Sequence, residues 1–140
     1  MQASTAPAIK ILIVDDEDEL RDSLRRKCAR LGYEVFSAGG GYEALELCRQ
    51  HGFDVVVTDI RMAKGSGIEL IDALKRDFGD KTPAIICITA FSDLTLDKAF
   101  AKGVDALLPK PIDSAALFAA IQHFHQSRQQ RLAAGERRSF

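Results

Sequence analysis

Asp15 and Asp16 follow directly on the apolar run Ile11-Leu12-Ile13-Val14, and Asp59 follows directly on Val55-Val56-Val57-Thr58. If those runs lie side by side in the fold, three carboxylates surface together. Two unit charges about 4 Å apart repel by about 4 kcal/mol at an effective dielectric of 20. Such a cluster must be protonated, held apart or neutralised by a cation. An all-oxygen site with few protein ligands suits Mg2+, which keeps several waters and accepts phosphate oxygens as further ligands. Two other apolar runs end in useful groups: Thr89 closes Ile85-Ile86-Cys87-Ile88, and Lys110 follows Ala106-Leu107-Leu108-Pro109. A strand-end threonine is usually turn chemistry and a loop lysine is usually solvated. What carries weight is the coincidence of three carboxylates, a hydroxyl donor and a compact positive charge at one edge.

Not every acid here needs a chemical role. Glu17, Asp18 and Glu19 stand where a first helix begins, and negative charge beside its exposed N–H groups stabilises a helix by about 0.3–1 kcal/mol each.

The elements that would position these groups alternate along the chain. The runs Ile9–Val14, Glu34–Ser37, Asp54–Thr58, Ala84–Thr89 and Ala106–Leu108 read as strands. Four are continuous rather than alternating, as strands buried on both faces of a parallel sheet require, while the mixed Tyr33-Glu34-Val35-Phe36-Ser37 suits an edge. Between them lie helical stripes: Leu20, Leu24, Cys28 and Leu31; Ala44, Leu45 and Cys48; Ile68, Ile71, Leu74 and Phe78; Leu96, Ala99 and Phe100, ended by Gly103; and Leu117, Ala120, Ile121 and Phe124. The result is an α/β (βα)5 chain with right-handed crossovers, for which the flavodoxin-like strand order 2-1-3-4-5 is the leading arrangement. That order puts a crevice at the carboxyl ends of strands 1 and 3, where the three aspartates emerge.

The 140 residues fit one domain. A net charge of −1 with 46% hydrophobic and 28% charged residues argues against a general nucleic-acid or membrane binder. The start MQASTAPAIK lacks the pattern of a signal peptide, and a cytoplasmic location is expected. Cys28, Cys48 and Cys87 are odd in number and embedded in apolar patterns, which reads as reduced core residues. Residues 1–8 read as an N-terminal extension and 9–125 as the domain. Residues 126–140, with Arg128, Arg131, Arg137 and Arg138 against Glu136, read as a frayed helix end passing into a basic linker or tail.

The segments "ILIVDDE", "VVVTDIRM" with Gly67 eight positions after Asp59, "ICITA" and "KGVDALLPKP" resemble, in this order, the receiver domain of two-component response regulators. The resemblance spans Ala8 to His125. It implies that Asp59 is a phosphoacceptor and that Asp15 and Asp16 hold Mg2+. Asp16 would ligate directly beside Asp59 and the backbone carbonyl of Arg61, and Asp15 mainly through water. Thr89 would hydrogen-bond the phosphoryl group and Lys110 would pair with its charge, as an acyl phosphate on a carboxylate requires. The implied donor is a sensor histidine kinase or a phosphotransfer protein. The implied consequence is a changed surface on the fourth helix, fifth strand and fifth helix, read by an output domain or effector that the sequence does not name. A homodimer through that surface stays open, and the chain fits both a stand-alone regulator and a receiver cut from a larger protein.

The pattern is departed from at three places. Leu107 stands where receivers often carry an aromatic residue, which puts the ring-swing form of the switch in doubt. Ala63 stands where a proline commonly follows the methionine, so a less rigid loop is expected. Arg61 and Phe91 flank the expected phosphoryl site in place of smaller or acidic residues. Two enzyme-like or cofactor-binding alternatives fit less well. An aspartate-nucleophile phosphatase would need a second acid where Asp59-Ile60-Arg61 has arginine, and a flavodoxin would need a phosphate cradle where this chain has five acids. A receiver-like interaction module that is never phosphorylated is the remaining rival, so no enzymatic turnover is expected beyond taking and losing the phosphoryl group.

Overall fold

The computed structural model describes residues 8–90 and 103–138, with side chains described as far as residue 135. The elements are β1 (Lys10–Val14), α1 (Asp18–Arg30), β2 (Glu34–Ala38), α2 (Gly41–Gln50), β3 (Val55–Asp59), α3 (Gly67–Phe78), β4 (Ala84–Thr89), β5 (Ala106–Pro109) and a C-terminal helix α4 (Ser114–Arg138), with one 3-10 turn over Gly79–Lys81. The helix expected at Leu96, Ala99 and Phe100, and Phe91 before it, lie outside the described residues. Gly103, expected to end that helix, has φ +84°, a left-handed conformation in which glycine pays no Cβ penalty.

All five strands pair in parallel, in the order β2-β1-β3-β4-β5. This is the expected flavodoxin-like α/β arrangement. The edge position of β2 accounts for its mixed sequence, since only Ala38 in it is buried. Each central strand sends alternate side chains to opposite layers. Leu12, Val14, Val56, Ile85 and Cys87 face Ala44 and Cys48 of α2 and Leu70, Ile71 and Leu74 of α3. Ile11, Ile13, Val55, Val57, Ile86 and Ile88 face Leu24 and Cys28 of α1 and Leu117 and Ile121 of the C-terminal helix. The three cysteines are free and buried in these two layers; burial pushes their thiols up to about 11 for Cys28 and about 12 for Cys48 and Cys87.

The register brings the strand ends level. Val14 lies opposite Thr58, so Asp15 comes abreast of Asp59; Asp59 lies opposite Ile88, and Thr89 opposite Pro109. One sheet edge therefore collects the carboxyl ends of four strands.

The opposite edge corrects the reading of residues 126–140. The helix continues without a break to Arg138, so the expected linker from 126 is helical to that point, and the boundary at 125 falls inside an element. Arg128, read from sequence as part of a solvated basic run, is 8% exposed. Its Nε donates to the Thr82 carbonyl at 2.9 Å and its Nη2 to the Lys81 carbonyl at 2.9 Å, while Nη1 lies 3.5 Å from Asp54 Oδ1. Asp54 Oδ2 in turn accepts from the Lys10 N–H at 2.9 Å. The apolar stripe of this helix gives way at 128 to a cation whose partners are two carbonyls and a carboxylate, which is why hydrophobic period alone missed the continuation. Arg128→Ala is expected to lower stability by about 2–3 kcal/mol in urea denaturation, because charge-assisted bonds to buried groups are lost. Amide exchange should speed up across 126–138 and stay slow near Leu117 and Ile121; unchanged exchange beyond 126 would show that Arg128 is not the anchor.

Candidate functional site

The carboxylates of Asp15, Asp16 and Asp59 each bring an oxygen within 4.8 Å of the others. Asp15 and Asp59 are buried, at 3% and 7% exposure, and Asp16 is exposed. Lys110 closes the cluster, with Nζ 2.7 Å from Asp59 Oδ2, 3.5 Å from Asp15 Oδ2 and 3.7 Å from Glu17 Oε1. Counting Glu17, four carboxylates share one ammonium, an excess of negative charge that a divalent cation would reduce.

Backbone groups fix each acid. Asp59 Oδ1 accepts from the Ile60 N–H at 2.7 Å, Asp15 Oδ1 from the Glu17 N–H at 2.9 Å, and Asp16 Oδ2 from the Ala63 N–H at 3.3 Å. The Lys110 N–H donates to the Thr89 carbonyl at 3.0 Å, and the peptide Lys110-Pro111 is cis. Gly67 begins α3 directly against the end of β3: its N–H donates to the Ile60 carbonyl at 2.8 Å, and a Cβ there would collide with the Asp59 carbonyl oxygen. That close approach explains the glycine eight positions after Asp59.

Thr89 ends β4 and is buried at 3% exposure, but its hydroxyl donates to the Ala90 carbonyl at 3.3 Å rather than to an aspartate. Arg61 and Asp16 line one depression of about 420 Å3 together with Ile60, Met62, Ala63 and Ser66. Leu107 packs against the layer formed with α2 and α3.

Two side chains at the site escaped the sequence reading. Glu17, assigned only to the helix start, makes no side-chain cap and instead faces Lys110. Arg21 donates to the Asp15 carbonyl at 2.7 Å and to Asp18 at 2.7 Å, bracing the turn that carries the acids. The Asp18-x-x-Arg21 spacing was a usable signal for the second contact, whereas nothing in the sequence marks the first.

Burial, the largest influence, raises the Asp15 pKa above the ordinary carboxylate value; the charges of Asp59 and Glu17 add to it, and the Glu17 N–H and Lys110 oppose it. At Lys110 burial works against the ammonium, yet the hydrogen bond to Asp59 and the fields of Asp15, Asp59 and Glu17 prevail and raise its pKa.

A flavodoxin-like sheet with an acid cluster and a lysine at its carboxyl edge defines a class of site built for a cation and an anionic group held together. The comparisons with known proteins narrow that class. Residues 11–122 match the response regulator receiver domain, and the chain belongs to that family. It is 37% identical over 116 residues to the transcriptional regulatory protein CrdR of Helicobacter pylori, covering 82% of this chain and 54% of that protein. It is 35% identical over 114 residues to the response regulator MprA of a Mycobacterium species, covering 81% of this chain and 49% of the relative. The chain thus spans about half the length of these relatives. Among solved structures, the N-terminal domain of an uncharacterized Wolinella succinogenes protein superposes with a TM-score of 0.79 at 38% identity, over 89% of this chain and 99% of that one. A Clostridium thermocellum receiver domain gives 0.78 at 28% identity, over 86% and 97%. Among the described residues no helix is long and apolar enough to cross a membrane.

The raised Asp15 pKa fixes a sign. Its proton favours the fold, an effect fully present below pH 3.8 and lost as pH rises through the folded value, so at pH 7 the buried ionised carboxylate is a cost. Asp15→Asn is expected to be more stable than the parent in chelator at pH 7, with the gap closing as pH falls toward 3.8. Urea denaturation at several pH values measures this, and a less stable variant at pH 7 would mean that attraction to Lys110 outweighs burial.

Proposed function

We propose that the protein is the phosphoacceptor receiver of a two-component system, taking a phosphoryl group onto Asp59 from a histidine on a sensor kinase or phosphotransfer protein. The observation that carries this reading is the Lys110 ammonium on Asp59 inside a cluster of three carboxylates. An Asp59 carboxylate oxygen forms the new O–P bond as the P–N bond to the donor histidine breaks and imidazole leaves. The Ile60 N–H orients the carboxylate, and Lys110, already at hydrogen-bond distance, passes to the charge that arrives on the phosphoryl oxygens.

The all-oxygen donor set and its excess of negative charge fit Mg2+, which Asp15, Asp16 and Asp59 would hold with the Arg61 carbonyl. Bound there it supplies charge neutralisation on the transferring group. Thr89 is one strand from Asp59 with its hydroxyl on a long bond to Ala90, which leaves it available to a phosphoryl oxygen. Its capture there would shift the surface around β5 and the C-terminal helix, with Leu107 held in the core instead of a swinging ring. No catalytic turnover is ascribed beyond gain and loss of the phosphoryl group. The site is cytoplasmic in this reading, where the kinase's phosphohistidine is presented. The name of the Helicobacter pylori relative points to transcription as the output of that protein; here the output partner is a separate effector or an attached domain, and no nucleic acid is bound by this domain itself.

Intact mass after incubation with a small-molecule phosphodonor tests the reading. A gain of one phosphoryl group is expected with Mg2+, with at least a tenfold slower gain in chelator and none in Asp59→Asn. Mg2+ binding without any gain would favour the unphosphorylated interaction module. Exposed Arg61 shares its depression with Asp16 at the path of attacking water, so Arg61→Asn is expected to change the rate of acyl-phosphate hydrolysis severalfold. Equal decay rates by phosphate release would remove Arg61 from the mechanism.

A further inference from the structure

The absence of a proline at position 63 gives the loop after β3 a donor, and that donor reaches the acid cluster. Ala63 N–H lies 3.3 Å from Asp16 Oδ2, a contact that a proline, having no N–H, cannot make. Asp16 is the exposed member of the cluster, and like charge on Asp15 and Asp59 opposes its approach to them.

The loop is held in place from the other side by α2. Gly40, at the N-cap of α2, makes no side-chain cap. The free N–H groups of the first turn are satisfied by the loop instead: Gly41 N–H donates to the Gly65 carbonyl at 2.9 Å and Tyr42 N–H to the Lys64 carbonyl at 3.3 Å. The approach depends on glycine, because a Cβ on Gly40 would lie 2.5 Å from the Lys64 carbonyl oxygen and one on Gly41 2.8 Å from that of Gly65. The pair Gly40-Gly41 thus lets α2 brace the loop.

We propose that the Ala63 main-chain N–H is a positioning group for the metal site, holding Asp16 inward toward Asp15 and Asp59, and that the glycine start of α2 sets its place. The inference rests on the phosphoacceptor reading for the identity of the cation. A hydrogen-bonding partner of a metal-ligating group commonly accounts for 10–100-fold in affinity.

Calorimetric titration of the full chain with Mg2+ is the test. Ala63→Pro is expected to raise the Mg2+ Kd about tenfold, and Ala63→Gly, which keeps the N–H, to leave it within about twofold. Gly40→Ala, which must displace Lys64, should also weaken binding. A parent chain that binds Mg2+ and an Ala63→Pro variant that binds it equally well or more tightly would overturn this inference alone; a parent that does not bind Mg2+ would overturn the proposed site as well. A measurement independent of the proline uses the Ala63 amide proton in metal-free protein. Its resonance should move upfield in Asp16→Ala, and an unmoved resonance would overturn the contact.

Discussion

Mutual repulsion of Asp15, Asp16 and Asp59 is the constraint around which the functional edge is organised. Three carboxylates within 4.8 Å do not collect unless something stronger fixes the backbone beneath them. That something is the parallel sheet, whose buried β1 and β3 deliver Asp15 and Asp59 abreast with no freedom to separate. Lys110 relieves only part of the repulsion. The raised pKa of Asp15 reflects burial first, with the charges of Asp59 and Glu17 adding to it.

The two sheet edges treat charge in opposite ways. At the far edge Arg128 meets two carbonyls and Asp54, Asp54 meets Lys10, and Asp105 Oδ2 accepts from the Ile85 N–H at 2.8 Å. Charges and backbone groups there answer one another, which ties β1, β3, β4 and the C-terminal helix into one body. At the functional edge the acids outnumber their partners. A domain divided this way has a well-tied base and a rim with unmatched charge, and under the proposed function an anionic group gained at the rim would act against that base.

Much of this was legible in the sequence because it depends on periodicity and on residue type. Continuous apolar runs declared the buried β1, β3 and β4, the mixed run at Glu34 declared an edge, and acids, threonine and lysine at run ends marked the rim; the continuous run of β5 misled, since it forms the other edge and is only partly buried. What escaped depends on backbone donors and on contacts across the chain. The N–H groups of Ile60 and Ala63 have no signature of their own, and the Arg21 contact with the Asp15 carbonyl is invisible to any side-chain pattern. Arg128 escaped for a related reason. A cation at a buried helical position is legible only once the carbonyls of Lys81 and Thr82 are known to await it.

Under the proposed phosphoacceptor function, the placement of Lys110 bears on how the rim would react without a large charge penalty. A phosphoryl group arriving on Asp59 needs the ammonium to leave Oδ2, and an ammonium with no second partner would pay for that in lost electrostatic energy. Here Asp15 and Glu17 lie at 3.5 and 3.7 Å from the same nitrogen, so small rotations keep it in contact with negative charge throughout. Glu17 thereby gains a reason to face the site rather than to cap α1. The acid that helix-dipole reasoning had placed at a helix start thus stands 3.7 Å from the lysine, where under the proposed function it would remain a partner for the ammonium once the Asp59 oxygen is taken.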